Sequence, residues 1–160
     1  MQHCFAPVTR PDSRLLILGS LPGAVSLAQS RYYAHPQNQF WRLIGAVIGR
    51  DLQPLPYEAR LEALLGAGVG LWDTVASATR EGSLDAAIRL HQASDLAALA
   101  LTLPDLRAIG FNGGKSAAIG RRQLSGATGL ALVDLPSSSP AYTLAFERKR
   151  EAWLALRAYL

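Results

Sequence analysis

Leu15-Leu16-Ile17-Leu18-Gly19-Ser20-Leu21-Pro22-Gly23 sets four consecutive large aliphatic side chains against a turn of glycine, serine and proline. A run with no polar face has nothing to offer water, so it reads as a strand buried on both sides, the usual condition in a parallel sheet. Three further runs share this character: Gly68-Val69-Gly70-Leu71-Trp72, Leu106-Arg107-Ala108-Ile109-Gly110-Phe111 and Gly129-Leu130-Ala131-Leu132-Val133. Between them Phe40, Leu43, Ile44, Val47 and Ile48 recur at helical spacing, and residues 57–65, 93–101 and 116–124 are further helix candidates. The alternation predicts an α/β fold: a three-layer α/β/α sandwich around a central four-stranded parallel sheet. Ser139-Pro140 is a cap-then-proline start for a last helix carrying Leu144, Trp153, Leu154 and Tyr159.

One domain over residues 1–160 accounts for the length, and 49% apolar residues suffice for a buried core. A formal charge of +4 permits a polyanionic partner without demanding one. The lone Cys4 excludes an internal disulfide framework or a cysteine-ligated cluster. His3, His35 and His91 have no metal-ligand spacing, so no metal or cofactor is expected. No apolar stretch reaches membrane-spanning length and the first ten residues lack signal-peptide order; the expectation is a soluble, cytoplasmic monomer.

Ligands of open α/β sheets bind beyond the carboxyl ends of the strands, where four polar segments should converge: Gly19–Gly23, Asp73-Thr74, Asn112–Ser116 and Leu135–Pro140. In Gly19–Gly23, glycine and proline serve turn sterics equally well, but strand-end backbone amides around Ser20 and Leu21 could also grip a base or a phosphate. The segment Arg31-Tyr32-Tyr33-Ala34-His35-Pro36-Gln37-Asn38-Gln39-Phe40-Trp41 has the chemistry of a base pocket: Tyr33 and Phe40 offer stacking faces and Asn38 an amide that both donates and accepts, while Trp41 reads as core. Asn112-Gly113-Gly114-Lys115-Ser116 is not a phosphate-binding P-loop, because the glycine needed five positions before Gly114 is Ile109. It is a turn into a helix whose first amides, with Lys115, could hold a phosphodiester oxygen. Ser137, Ser138 and Ser139, between Pro136 and Pro140, exceed what capping needs and suit a rigid loop pressed on a DNA backbone. No Gly-x-Ser-x-Gly elbow makes any of them a nucleophile. Thr79 to Asp85, polar and glycine-bearing, is a further candidate loop.

In this order and placement the segments resemble the uracil-DNA glycosylase superfamily, on its mismatch-specific and thymine-DNA glycosylase side and nearest its hypoxanthine-DNA glycosylase branch. Gly19–Gly23 is similar to the first motif, Ala34 to Trp41 to the aromatic segment that follows, Phe111 to Lys115 to the third-strand segment and Leu135 to Ser139 to the second motif. Leu21 stands where mismatch-specific enzymes carry the asparagine that positions water, and the second motif lacks the histidine of uracil-excising branches. The resemblance therefore implies that catalysis rests on Asn38 and the substrate leans toward hypoxanthine. It implies a monofunctional DNA glycosylase of base excision repair acting on double-stranded DNA with a damaged or mismatched base. Ser20 to Gly23, Tyr33, Phe40, Asp73 and Asn112 would contact the base, and Lys115 with Ser137 to Ser139 the phosphates. Four alternatives stand beside it: a mismatch uracil/thymine-DNA glycosylase, an α/β phosphoesterase, a DNA-binding module without chemistry, and a lyase using Lys115 as its amine.

Overall fold

The computed structural model describes residues 2–3, 5–80, 88–126 and 129–160, with the side chains of 2–3, 76–80 and 88–93 left aside. Cys4 and residues 81–85 of the Thr79–Asp85 segment lie outside the described residues, as do the side chains of His3 and His91.

Four parallel strands form the central sheet in the order β3-β2-β6-β7: β2 (Leu15–Gly19), β3 (Val69–Asp73), β6 (Ala108–Asn112) and β7 (Ala131–Leu135). All four runs read from the sequence are strands, each reaching one or two residues farther toward its carboxyl end. β2 lies between β3 and β6 and is buried throughout, as its unbroken apolar run requires. Its side chains divide the core by the strand's twofold alternation. Leu15 and Ile17 pack with Phe40, Leu43, Ile44 and Val47 of α2 (Phe40–Ile48), Leu64 of α3 (Tyr57–Gly66) and Trp153 of α6 (Phe146–Leu154). Leu16 and Leu18 face Leu96 of α4 (Leu96–Leu101) and Ala117 of α5 (Gly114–Gln123). That is the expected sandwich, with a short α1 (Ala24–Gln29) following β2.

Three expectations are corrected. The last helix does not start at Ser139-Pro140 but at Phe146, followed by a 3-10 turn at Ala155–Tyr159. The Ser139 hydroxyl accepts from the Ala141 amide at 3.2 Å and its carbonyl from the Tyr142 amide at 3.1 Å, so the cap signal is spent on a tight turn. Leu144, expected on the helix, lies in the exposed connection. Residues 93–95 are also not helical: Ala93 ends a strand, and Asp95 caps α4 by accepting from the Ala98 amide at 3.0 Å. A second sheet was not read at all: β1 (Gln2–His3), β4 (Val75–Arg80) and β5 (Ile88–Ala93) pair antiparallel in the order β1-β4-β5. Thr79 and Arg80 therefore finish a strand rather than open a loop.

Candidate active site

The parallel register lays out the floor of the site. Gly19 pairs with Asp73, Leu18 with Phe111, and Asn112 with Leu135, so Asp73, Gly19, Asn112 and the serine loop emerge side by side at the carboxyl edge. A cavity of about 250 Å³ opens over this edge. Ser20, Leu21, Pro22, Gly23, Tyr33, Asn38, Asp73, Asn112, Ser137, Ser138 and Ser139 all border it, as does His35.

Gly19 makes the floor possible. A Cβ there would lie 2.7 Å from Asp73 Oδ1 and 3.1 Å from the Tyr33 hydroxyl, so only the bare backbone lets carboxylate and phenol close over the strand end. The loop beyond it is fixed by the start of β4: the Thr74 amide donates to Gly19 O at 2.8 Å and the Val75 amide to Ser20 O at 2.9 Å. Leu21 is only 6% exposed and packs with Val75 and Ile119. At this position leucine serves a small apolar cluster beside the cavity.

Tyr33 holds a left-handed backbone, φ 52°, a conformation that costs a non-glycine residue about 1–2 kcal/mol. The surroundings offset it: Trp41 Nε1 donates to Tyr33 O at 3.2 Å, and the phenol ring stacks on Phe40 at 3.8 Å and 15°. This turn aims Tyr33 at the cavity and puts Phe40 behind it. Phe40 is fully buried and absent from the cavity wall, so the expected direct stacking of Phe40 on a base is corrected; the Tyr33 ring lies in front. Trp41 is core, as read.

The two site asparagines are spent differently. Asn112 is buried; its Oδ1 accepts from the Ser138 amide at 2.9 Å, and its Nδ2 donates to Ser138 Oγ at 2.9 Å and to the Tyr33 hydroxyl at 3.4 Å. Asn38 Oδ1 accepts from the Phe40 amide at 2.9 Å, which orients the side chain at the foot of α2 and assigns Nδ2 to the other end. Among the described residues nothing else engages this side chain, so its amide nitrogen and the second lone pair of Oδ1 can serve a molecule in the cavity. The neighbouring Gln39 amide donates to Ser138 O at 3.0 Å, so Ser138 braces both asparagines to one framework.

In the serine loop, Ser137 Oγ accepts from the Ser139 amide at 3.1 Å and Ser139 Oγ from the Ala141 amide. Both hydroxyls are held as acceptors, which leaves their protons to donate outward, the polarity a phosphate oxygen needs. Gly113, at φ 99°, makes the turn into α5, and a Cβ placed on it would lie 3.3 Å from Ser137 Cβ. Lys115, on the first turn of α5, is half-buried and off the cavity wall, and Ser116 donates to Leu18 O at 2.7 Å, pinning the helix to the sheet. Among the described residues no cluster of histidine, cysteine and carboxylate side chains could hold a metal ion.

Sequence reasoning missed four neighbours of the site. His35 sits on the rim with Nδ1 accepting from the Gln37 amide at 3.1 Å. Tyr142 and Leu144 are 47% and 39% exposed just past the serine loop. Lys149 is buried beneath it, and that burial holds its pKa below the ordinary lysine value. Assigning the whole segment to a helix hid all but His35.

Known proteins share this fold and much of this sequence. Residues 6–159 match the family described as the uracil DNA glycosylase superfamily. Two relatives named hypoxanthine DNA glycosylase are similar over nearly the whole chain: one from Methanosarcina barkeri, 40% identical over 93% of each chain, and one from Methanosarcina acetivorans, 38% identical over 95% of each. A solution NMR structure of a candidate uracil DNA glycosylase from Methanosarcina acetivorans superimposes with a TM-score of 0.86 at 37% identity, covering 97% of this chain and 95% of that one. The chain belongs to the uracil DNA glycosylase superfamily.

Proposed function

We propose that the chain is a monofunctional DNA glycosylase that, as a monomer, flips a deaminated base, hypoxanthine foremost, out of double-stranded DNA and hydrolyses its N-glycosidic bond. The observation that carries this reading is the meeting of Tyr33, Asn38 and Asp73 in one cavity at the carboxyl edge of the sheet. The names of its relatives support the same chemistry.

The three side chains suit one substrate class. Deamination replaces a ring-nitrogen acceptor by an N–H donor beside a new carbonyl: hypoxanthine carries N1–H where adenine has a lone pair, and uracil N3–H where cytosine has one. A carboxyl oxygen accepts, so Asp73 pairs with the lactam N–H of a deaminated base, a donor the normal base lacks. Tyr33 stacks on the ring, and Asn38 Nδ2 donates to an acceptor on the base edge. For a purine, water adds its oxygen to C1′ of the sugar as the C1′–N9 bond breaks. The bonding pair leaves with the base, and one water proton finally returns to it. The base is most negative as the bond breaks, and donors held in place for that moment are worth more than donors that must reorient. Asn38, anchored through its own Oδ1, and the backbone amides around Ser20 and Leu21 fill that role. Asn38 Oδ1 also offers its second lone pair to the attacking water.

A panel of end-labelled duplexes, each with one hypoxanthine, uracil, xanthine or mispaired thymine and cleaved with alkali after incubation, tests the reading. Cleavage at hypoxanthine is expected, with weaker cleavage at uracil because Leu21 orients no water. Intact strands throughout would overturn it. Borohydride is expected to trap no covalent adduct, since Lys115 lies off the cavity wall.

A further inference from the structure

α6 carries Glu147, Arg148, Arg150 and Glu151 in water, as a charged surface helix should. Its inner face runs Phe146, Lys149, Trp153, so a lysine holds the middle position of an otherwise aromatic stripe. Lys149 is 1% exposed. Among the described residues no carboxylate lies within ion-pair distance of its ammonium. What the ammonium meets is the Ser139 carbonyl, to which it donates at 3.1 Å, and the Tyr142 ring, whose centroid is 5.4 Å away. A buried charge with one hydrogen bond and one aromatic face costs stability, and methionine, of the same length, would fill the space without that cost. Packing alone does not explain a lysine here.

We propose that Lys149 is a positioning residue for DNA binding: from behind the serine loop its ammonium fixes Ser139 and Tyr142 in the conformation that receives a phosphodiester. The inference rests on the glycosylase reading for the identity of the ligand. Ser139 O accepts from both the Tyr142 amide and Lys149, so one cation ties the cavity wall to the exposed ring beyond it. Ser139 is thereby held with its hydroxyl accepting from Ala141 and its proton free to donate outward. The unneutralised charge, one carbonyl behind the loop, adds attraction for a polyanion.

The test is Lys149→Met on a hypoxanthine duplex, with Lys149→Gln, which keeps a donor but no charge, beside it. The expected result for Met is a KM raised about tenfold, a single-turnover rate at saturation changed far less, and a Tm equal to or above that of the wild type. Gln should fall between Met and wild type in KM. An unchanged KM, or a lowered Tm together with a single-turnover rate that falls as far as kcat/KM, would overturn the proposal, because removing a lysine that merely builds the fold would cost stability and activity together. Duplex binding by fluorescence anisotropy separates this from the catalytic reading: weaker binding by Lys149→Met upholds the proposal even if the wild type leaves every base in place, and equal binding sinks it.

Discussion

Asn38 and Asn112 are the same side chain at the mouth of the same cavity, and the fold uses them in opposite ways. Asn112 ends a central strand, is buried, and gives both of its polar atoms to Ser138. Asn38 stands in the turn before α2, is half-exposed, and gives one lone pair to the Phe40 amide while its NH2 group meets no partner among the described residues. The difference teaches that a polar residue in a pocket becomes catalytic only with what its neighbours leave unspent. By that measure Asn112 builds the site, and the proposed mechanism puts Asn38 to work in it.

Substitution should separate the two. Asn38→Ala is expected to cut the single-turnover excision rate by roughly 10²–10³, the scale of losing one preorganised donor, while duplex affinity stays within a few-fold. Its cost in stability should stay near 1 kcal/mol, that of a lost helix-start contact, read by thermal melting. Asn112→Ala should reverse the pattern: it strands the Ser138 amide in a buried place and costs about 1–3 kcal/mol of stability, with a smaller loss of rate that follows the displaced serine loop. A stable Asn112→Ala that has lost all turnover would break the comparison.

Smaller effects sharpen it. Asp73→Asn replaces a pure acceptor by a group that can also donate to an unmodified base, so selectivity for hypoxanthine over adenine should fall roughly tenfold, measured as a ratio of kcat/KM on matched duplexes. Ser137→Ala removes one outward O–H and should raise KM only a few-fold, consistent with about 1 kcal/mol for one hydrogen bond. The smallest signal lies in pH. Burial holds the Lys149 pKa below its unfolded value of 10.5. Between those two values the unfolded chain keeps a proton that the native state has released, so this group's contribution to stability rises with pH there. The Tm advantage expected for Lys149→Met should therefore shrink as pH approaches 10.5.

The four central strands were legible because a strand buried on both faces must be apolar at every position, and Leu15–Leu18 is. Their order at the carboxyl edge then gathered Asp73, Asn112 and the serine loop with no further information. The antiparallel sheet was not legible: Val75–Arg80 mixes small and polar residues with neither a continuous apolar run nor a clean alternation. Ser139-Pro140 misled because a serine before proline suits a tight turn as well as a helix start, and only the hydrogen bonds to Ala141 and Tyr142 decide between them. Phe40 was set against the base because sequence spacing cannot show that Tyr33 adopts a left-handed turn and covers it. Lys149 escaped notice for a similar reason: in a run of alternating charges nothing marks the one that turns inward.

The central claim is that Asn38 acts on the bond while Asn112 holds the frame. Single-turnover excision of hypoxanthine from an end-labelled duplex, run at saturating enzyme on Asn38→Ala with affinity measured in parallel, tests it most directly. The account predicts a rate down by roughly 10²–10³ on DNA that is still bound. Excision at the wild-type rate would contradict it.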